Sequence, residues 1–282
     1  MSNGVIPFAN ANNKISTYDG NNLLEIFGSA AALHAAISSG DFTRIQIGDY
    51  YPLHLTGTFR NAATAADVEI DEDAIMEVAA INPYIRQGPT EFLPQHVLFC
   101  SRQCISPALQ YRSEPAVWYN PAEENPWRGS ALYATLNDPT NGVITLVEET
   151  ALGAYIYKGD NNNGIMSYME KAGVDSTAPT SADWQGRGAL FLPSECEVYG
   201  HIERSPRTNS TGSGLYNQWP IFAGSMRHII KSTSNTATGR AYWWLQDMFN
   251  NRYICCVAPQ GNSGAVTAST TSPRVPLCFL IT

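Results

Sequence analysis

Charge is what this sequence has little of. Only 15% of its 282 residues are Asp, Glu, Lys or Arg, against the usual quarter. The 17 Lys and Arg are scattered, and 25 Asp and Glu leave a formal charge of −8. A phosphate-binding surface needs clustered basic residues, so no nucleic-acid partner is expected. Long apolar runs are missing as well, and without about 18 apolar residues in succession no helical membrane span is expected. The opening residues, Met1 to Asn10, carry neither a basic region nor a leader-length apolar stretch, so the protein is expected to be made in a cytoplasm. Cysteine is sparse for a disulfide scaffold: Cys100, Cys104, Cys196, Cys255, Cys256 and Cys278 read as reduced, mostly buried thiols. No Gly-x-Ser-x-Gly elbow is present, no enzyme activity is expected, and no cofactor is implied. The polar surface must be built from Asn, Ser, Thr, Gln and Tyr, as in stable extracellular or virion proteins.

What is present comes in short segments. Residues 1–19 are polar and aperiodic, an arm whose order depends on a neighbour. Asn21 or Asn22 can cap one helix running through Leu23, Ile26, Phe27, Leu33 and Ile37 to Ser38-Ser39-Gly40. Its apolar residues occupy more than one face, which implies burial against the domain or against other subunits. Phe42 to Leu55 alternates and predicts a strand pair with Gly48-Asp49 as its turn. Glu69, Asp71, Glu72, Asp73 and Glu77 lack the glycine and spacing of an EF-hand and predict a solvated hairpin tip in place of a calcium loop. Pro94 to Cys100 reads as a core strand. His96, Cys100 and Cys104 have metal-ligand spacing only on a helix; a strand puts the two cysteines about 13 Å apart. Trp127 to Leu136 predicts a helix stopped by Asn137-Asp-Pro139. A second helix is expected over Ile165 to Ala172, and loop over Val174 to Gly188. Ser194 with Glu197 three residues on is a capping box, with Glu195 turned to another side.

The end of the chain predicts strands at Tyr242 to Leu245 and Tyr253 to Val257, a Pro259 to Gly264 turn, and a last strand. In that last strand Val275, Leu277, Phe279 and Ile281 form one apolar face. On a regular strand covered on one face, only one of Trp243 and Trp244 points inward, and likewise only one of Cys255 and Cys256.

Several of these pieces resemble a C-type-lectin-like domain family of tailed phages and prophages. Leu190-Phe-Leu-Pro-Ser-Glu-Cys-Glu-Val-Tyr-Gly200 matches the family's apolar-Leu-Pro-Ser-Glu-x-Glu-Val-Phe-Gly segment. Trp219-Pro-Ile-Phe222, Tyr242-Trp-Trp-Leu245, Ile254 to Val257, Gly261 to Val266 and Arg274-Val-Pro-Leu-Cys-Phe279 are similar to the pieces that follow it, and Ile45-Gln-Ile-Gly-Asp-Tyr-Tyr51 to one that precedes it. Gln246-Asp247 departs from the family's Arg-Ser, and Arg274 precedes its valine instead of following it.

The resemblance implies an α+β fold: a C-type-lectin-like domain over 41–282 with mixed or antiparallel sheets and few short helices, preceded by an arm and anchoring helix over 1–40. It implies a structural virion protein, a head or tail decoration or fibre-type component, displaying that domain for host-surface attachment. The alternative is a soluble lectin-like module that binds carbohydrate or protein outside any particle. The implied partners are other virion proteins, further copies of the chain, and a host-surface glycan or protein. Calcium-dependent lectins carry Glu-Pro-Asn and Trp-Asn-Asp; the nearest sequences here are Glu114-Pro-Ala116 and Glu124-Asn-Pro126, so no metal is expected. Sulfatase-activating oxidases of this fold use cysteines, yet adjacent Cys255-Cys256 lacks the gap of a redox pair. Binding is expected instead at loop aromatics among small polar residues: Trp118, Tyr119 and Tyr216 with Arg207, and Trp184 and Trp219 as further candidates. The long excursions expected to carry recognition span Tyr111 to Pro126, His201 to Gln218 and Lys231 to Gly239.

Overall fold

The computed structural model describes residues 20–84, 93–112, 127–159, 163–168, 184–205, 218–223, 225–233, 239–250 and 252–282. The fold is α+β, with short helices around antiparallel sheets. Where one helix was expected at the start there are two. α1 (Leu23–Phe27) is capped by Asn22, whose side chain accepts from the Leu24 amide, and ends at Gly28 with φ +76°. α2 (Ala30–Ser39) starts afresh on the Ser29 side chain and ends at Gly40 with φ +75°. Only glycine takes those left-handed positions without strain, so the Gly28-Ser29 pair divides the helix. Leu23, Leu33 and Ile37 are buried in the same core cluster as the strands.

The expected strand pair over Phe42 to Leu55 does not form. Residues 41–49 are turns, and β1 (Tyr50–Asn61) is one strand paired along its whole length with β2 (Ala66–Ile81). The reason lies at Asp49, a buried carboxylate that accepts from the Asn21 backbone and side-chain amides and from the Gln46 amide. The Gly48-Asp49 turn thereby binds the start of the chain instead of closing a hairpin. The β1–β2 hairpin turns at 62–65, not in the acidic cluster. Glu69, Asp71 and Asp73 line the exposed face of β2, whereas Glu72 and Glu77 point inward and are buried.

β3 (Val97–Ser101) is wholly buried, and the first sheet has the order β1-β2-β3-β9, with β9 spanning Cys278–Ile281. α3 (Ala131–Asn137) stands where the sequence put it, N-capped by Ser130, and α4 (Val143–Glu148) packs on β1. The helix expected from Ile165 is absent over its described part. β4 (Met166–Tyr168) pairs instead with β5 (Trp184–Gly186), which lies in the stretch expected as loop. The cause is the Gly164–Gly188 bridge, where an added Cβ on Gly164 would stand 1.8 Å from the Gly188 carbonyl oxygen.

α5 (Glu195–Tyr199) and α6 (Met226–Ile229) precede a second sheet, the meander of β6 (Trp243–Met248), β7 (Tyr253–Val257) and β8 (Ser263–Thr267). Both faces of this sheet are covered, which corrects the one-sided expectation: Trp243, Trp244, Cys255 and Cys256 are all 0% exposed. The Trp243 indole donates to the Ile229 carbonyl on one side and the Trp244 indole to the Leu109 carbonyl on the other. β9 is likewise buried at every residue, and Val275 meets Ile105 in a bridge before it begins. Arg274 lies beside Trp243, so residues 274–281 join the two sheets. No helix among the described residues is long and apolar enough to cross a membrane.

Candidate functional site

The four residues expected to bind, Trp118, Tyr119, Arg207 and Tyr216, lie outside the described residues. Trp219 is placed, and it is not at a rim: it is 1% exposed, packed between Phe191 and Phe222. Trp184 falls on β5.

The residues flanking the stretches expected to bind are tied to the fold. Before 113–126, the Arg112 amide donates to the Ala268 carbonyl; after it, the buried Trp127 indole donates to the Arg187 carbonyl. Before 206–217, the Ser205 amide and hydroxyl both donate to Glu195 at 2.7 and 2.6 Å; after it, the Gln218 side chain donates to the Val198 carbonyl. Glu195 in turn accepts from the Ser263 hydroxyl at 2.9 Å. The two stretches thus leave from opposite ends of β8, one at Ser263 and the other at Ala268.

The anchor of this region is built from the Leu-Pro-Ser-Glu-x-Glu segment. The Ser194 side chain accepts from the Glu197 amide, and the Glu197 side chain accepts from the Ser194 amide, which completes the expected capping box. The structure then adds what the local pattern could not: Arg187 meets Glu197 through two nitrogens at 2.6 and 2.8 Å, and the Tyr84 hydroxyl donates to the same carboxylate at 2.5 Å. Neither side chain of the pair is exposed. Burial pushes the Glu197 carboxyl up, but the Arg187 charge and its hydrogen bonds, with those of Tyr84 and Ser194, hold it below the ordinary glutamate value of 4.5. Arg187 carried no signal in the sequence beyond being a lone arginine in Gly-Arg-Gly before an apolar run. Glu195 faces the other way, towards Ser205 and Ser263, as acids two residues apart on a helix do.

A second polar cluster lies under β3. Glu77 accepts from Arg102 at 2.7 Å and meets His228 at 3.1 Å, and the buried Lys231 ammonium donates to the Ser101 carbonyl. Burial raises the Glu77 carboxyl; the His228 hydrogen bond and the Lys231 charge overcome this and leave it lowered. Lys231 was hidden at the start of a stretch read as loop. Among the described residues, no three His, Cys, Asp or Glu gather to hold a metal. Each of these carboxylates accepts from partners on other elements, so the clusters cross-link those elements.

One open groove of about 370 Å³ runs along β1, lined by Leu24, Tyr51, His54, Thr56, Leu146 and Glu149 among others. β1 is the sheet edge here, and Pro52, which lacks an N–H, stands on it. The chain matches no family model, no curated protein and no solved structure.

Proposed function

We propose that this protein is a structural virion component of a tailed phage that displays a C-type-lectin-like domain, through which the particle contacts the host surface. The observation that supports this reading best is the role of the Leu190 to Gly200 segment. The residues that carry the resemblance, Ser194, Glu195 and Glu197, are the ones that tie β8, Arg187 and the end of the 206–217 stretch together. A motif spent on scaffold contacts fits a display domain, in which a rigid frame presents loops. Asp247, one of the departures from the family pattern, joins the same frame by accepting from the Glu195 amide.

Two measurements test the proposal. Mass spectrometry of purified particles should find the chain in many copies per particle; its absence from particles would leave the soluble binding module as the reading. Replacing Trp118, Tyr119 and Tyr216 together with Ser should leave folding and incorporation intact and weaken attachment to host cells. A triple variant that folds, assembles and attaches normally would remove the attachment role and leave a purely structural part.

A further inference from the structure

Six cysteines are free and buried, and the strand register sets two of them apart. Cys100 on β3 stands directly opposite Cys278 on β9. The neighbouring hydrogen bonds identify the kind of pair. The Ser101 amide donates to the Leu277 carbonyl, so that neighbouring position faces across the ladder, whereas the Cys278 carbonyl accepts from the Phe191 amide on the far side and the Arg102 amide donates to the Ile75 carbonyl on β2. Cys100 and Cys278 are therefore a non-hydrogen-bonded antiparallel pair. In such pairs the Cα atoms lie about 4.5 Å apart with side chains close together, at the short end of the range a disulfide spans.

None of the other four has such a neighbour among the described residues. Cys104 faces Thr233, Cys255 is opposite Ala265, Cys256 is opposite Trp244 and Gly264, and Cys196 is on α5. Burial pushes the Cys104, Cys196 and Cys256 thiols up to about 12. Cys100 differs: the hydrogen bond from Cys278 and, against burial, the nearby Lys231 ammonium hold its thiol below the ordinary value.

We propose that Cys100 and Cys278 are a disulfide-forming pair, closed by a small-molecule disulfide such as oxidised glutathione, which ties β9 to β3. The Cys100 thiolate attacks one sulfur of the small disulfide, breaking its S–S bond and releasing one thiolate. Cys278 then loses its proton and attacks the Cys100 sulfur of the mixed disulfide, expelling the second thiolate, which leaves with the protons as thiols. Two cysteine sulfurs are oxidised and one disulfide is reduced. Because both sulfurs are buried, the reaction proceeds during folding or through local opening of β9. The bond closes a loop over most of the chain, the case in which constraint of the unfolded state is largest.

The test is to refold the full chain in a glutathione redox buffer and to incubate native protein with oxidised glutathione, then alkylate and map peptides without reduction. The expected result in the refolded sample is one linkage, Cys100 to Cys278, with the other four cysteines alkylated, and a thermal midpoint that falls when dithiothreitol is added. In the native sample the same linkage should form more slowly. Cys278→Ser should abolish the linkage with no substitute forming, and Cys104→Ser should retain it. Six alkylated cysteines after refolding, or a linkage involving Cys104, Cys196, Cys255 or Cys256, would overturn the proposal. The wild-type map decides the matter even if Cys278→Ser does not fold.

Discussion

His96 is buried beside the chain that leads into β3, and its two ring nitrogens have opposite duties. Nδ1 donates to the Pro94 carbonyl at 2.8 Å, and Nε2 accepts from the Tyr84 amide at 3.2 Å. The ring is therefore neutral, and a second proton would point at an N–H. Burial accordingly lowers its value from 6.5, with the Pro94 bond opposing in part. A histidine lowered on folding takes up its proton more readily when unfolded, so its contribution is complete above 6.5 and is lost as pH falls below that. Glu77 and Glu197, both held under 4.5, add a second loss below that value. Thermal midpoints measured from pH 8 to 3 should fall in two stages, and His96→Gln should remove the first. Arg187 is the other residue on which much depends. Replacing it with Met leaves Glu197 charged in the interior, which should cost about 3–5 kcal/mol in urea unfolding. The double variant with Glu197→Gln should recover part of that.

At the scale of elements, β6 offers the sharpest test. Trp243 and Trp244 are both sealed, on opposite faces, each with its indole bonded. Truncating either to Ala should cost a similar amount, about 3–5 kcal/mol, and a much milder Trp244→Ala in urea unfolding would contradict two-sided burial. These two residues also explain what could be read from the sequence. The aromatic run marked a strand, but whether one face or two is covered is decided by Ile229, 14 residues back, and by Leu109, 135 residues back, with Tyr111 beside it. The same split recurs elsewhere. The Ser194 box, the α3 stop and the existence of a turn after β7 are local chemistry and were legible, although that turn closes by Asn262 and Ser263-Gly264 already belong to β8. The break at Gly28, the β4–β5 pair and the Arg187–Glu197 contact depend on glycines and on partners outside the local turn, which periodicity does not encode. Of the binding residues expected, Trp219 illustrates the limit most plainly: an aromatic in a polar context is placed by packing, not by its neighbours in sequence.

For the molecule as a whole, the described chain begins at Gly20 and is at once fastened: the Tyr50 amide donates to the Asn21 carbonyl and Asp49 accepts from Asn21. Residues 1–19 are polar and aperiodic in sequence and are expected to add little to the core. Deleting Met1 to Asp19 should leave the thermal midpoint nearly unchanged while abolishing incorporation into particles, as checked by calorimetry and by mass spectrometry of the assembled material. A large fall in midpoint would show that the arm belongs to the core after all.

The sealed interior also gives the protein an optical signature. Of its six tryptophans, Trp127, Trp219, Trp243 and Trp244 are at most 1% exposed. Their emission should lie to the blue and resist acrylamide in the native state. Whatever acrylamide does quench then reports on Trp118 and Trp184 alone. A single titration of native protein, repeated with Trp118→Phe, would separate a wet loop aromatic from a packed one, and adding candidate glycans to the same cuvette would show whether that ring becomes covered.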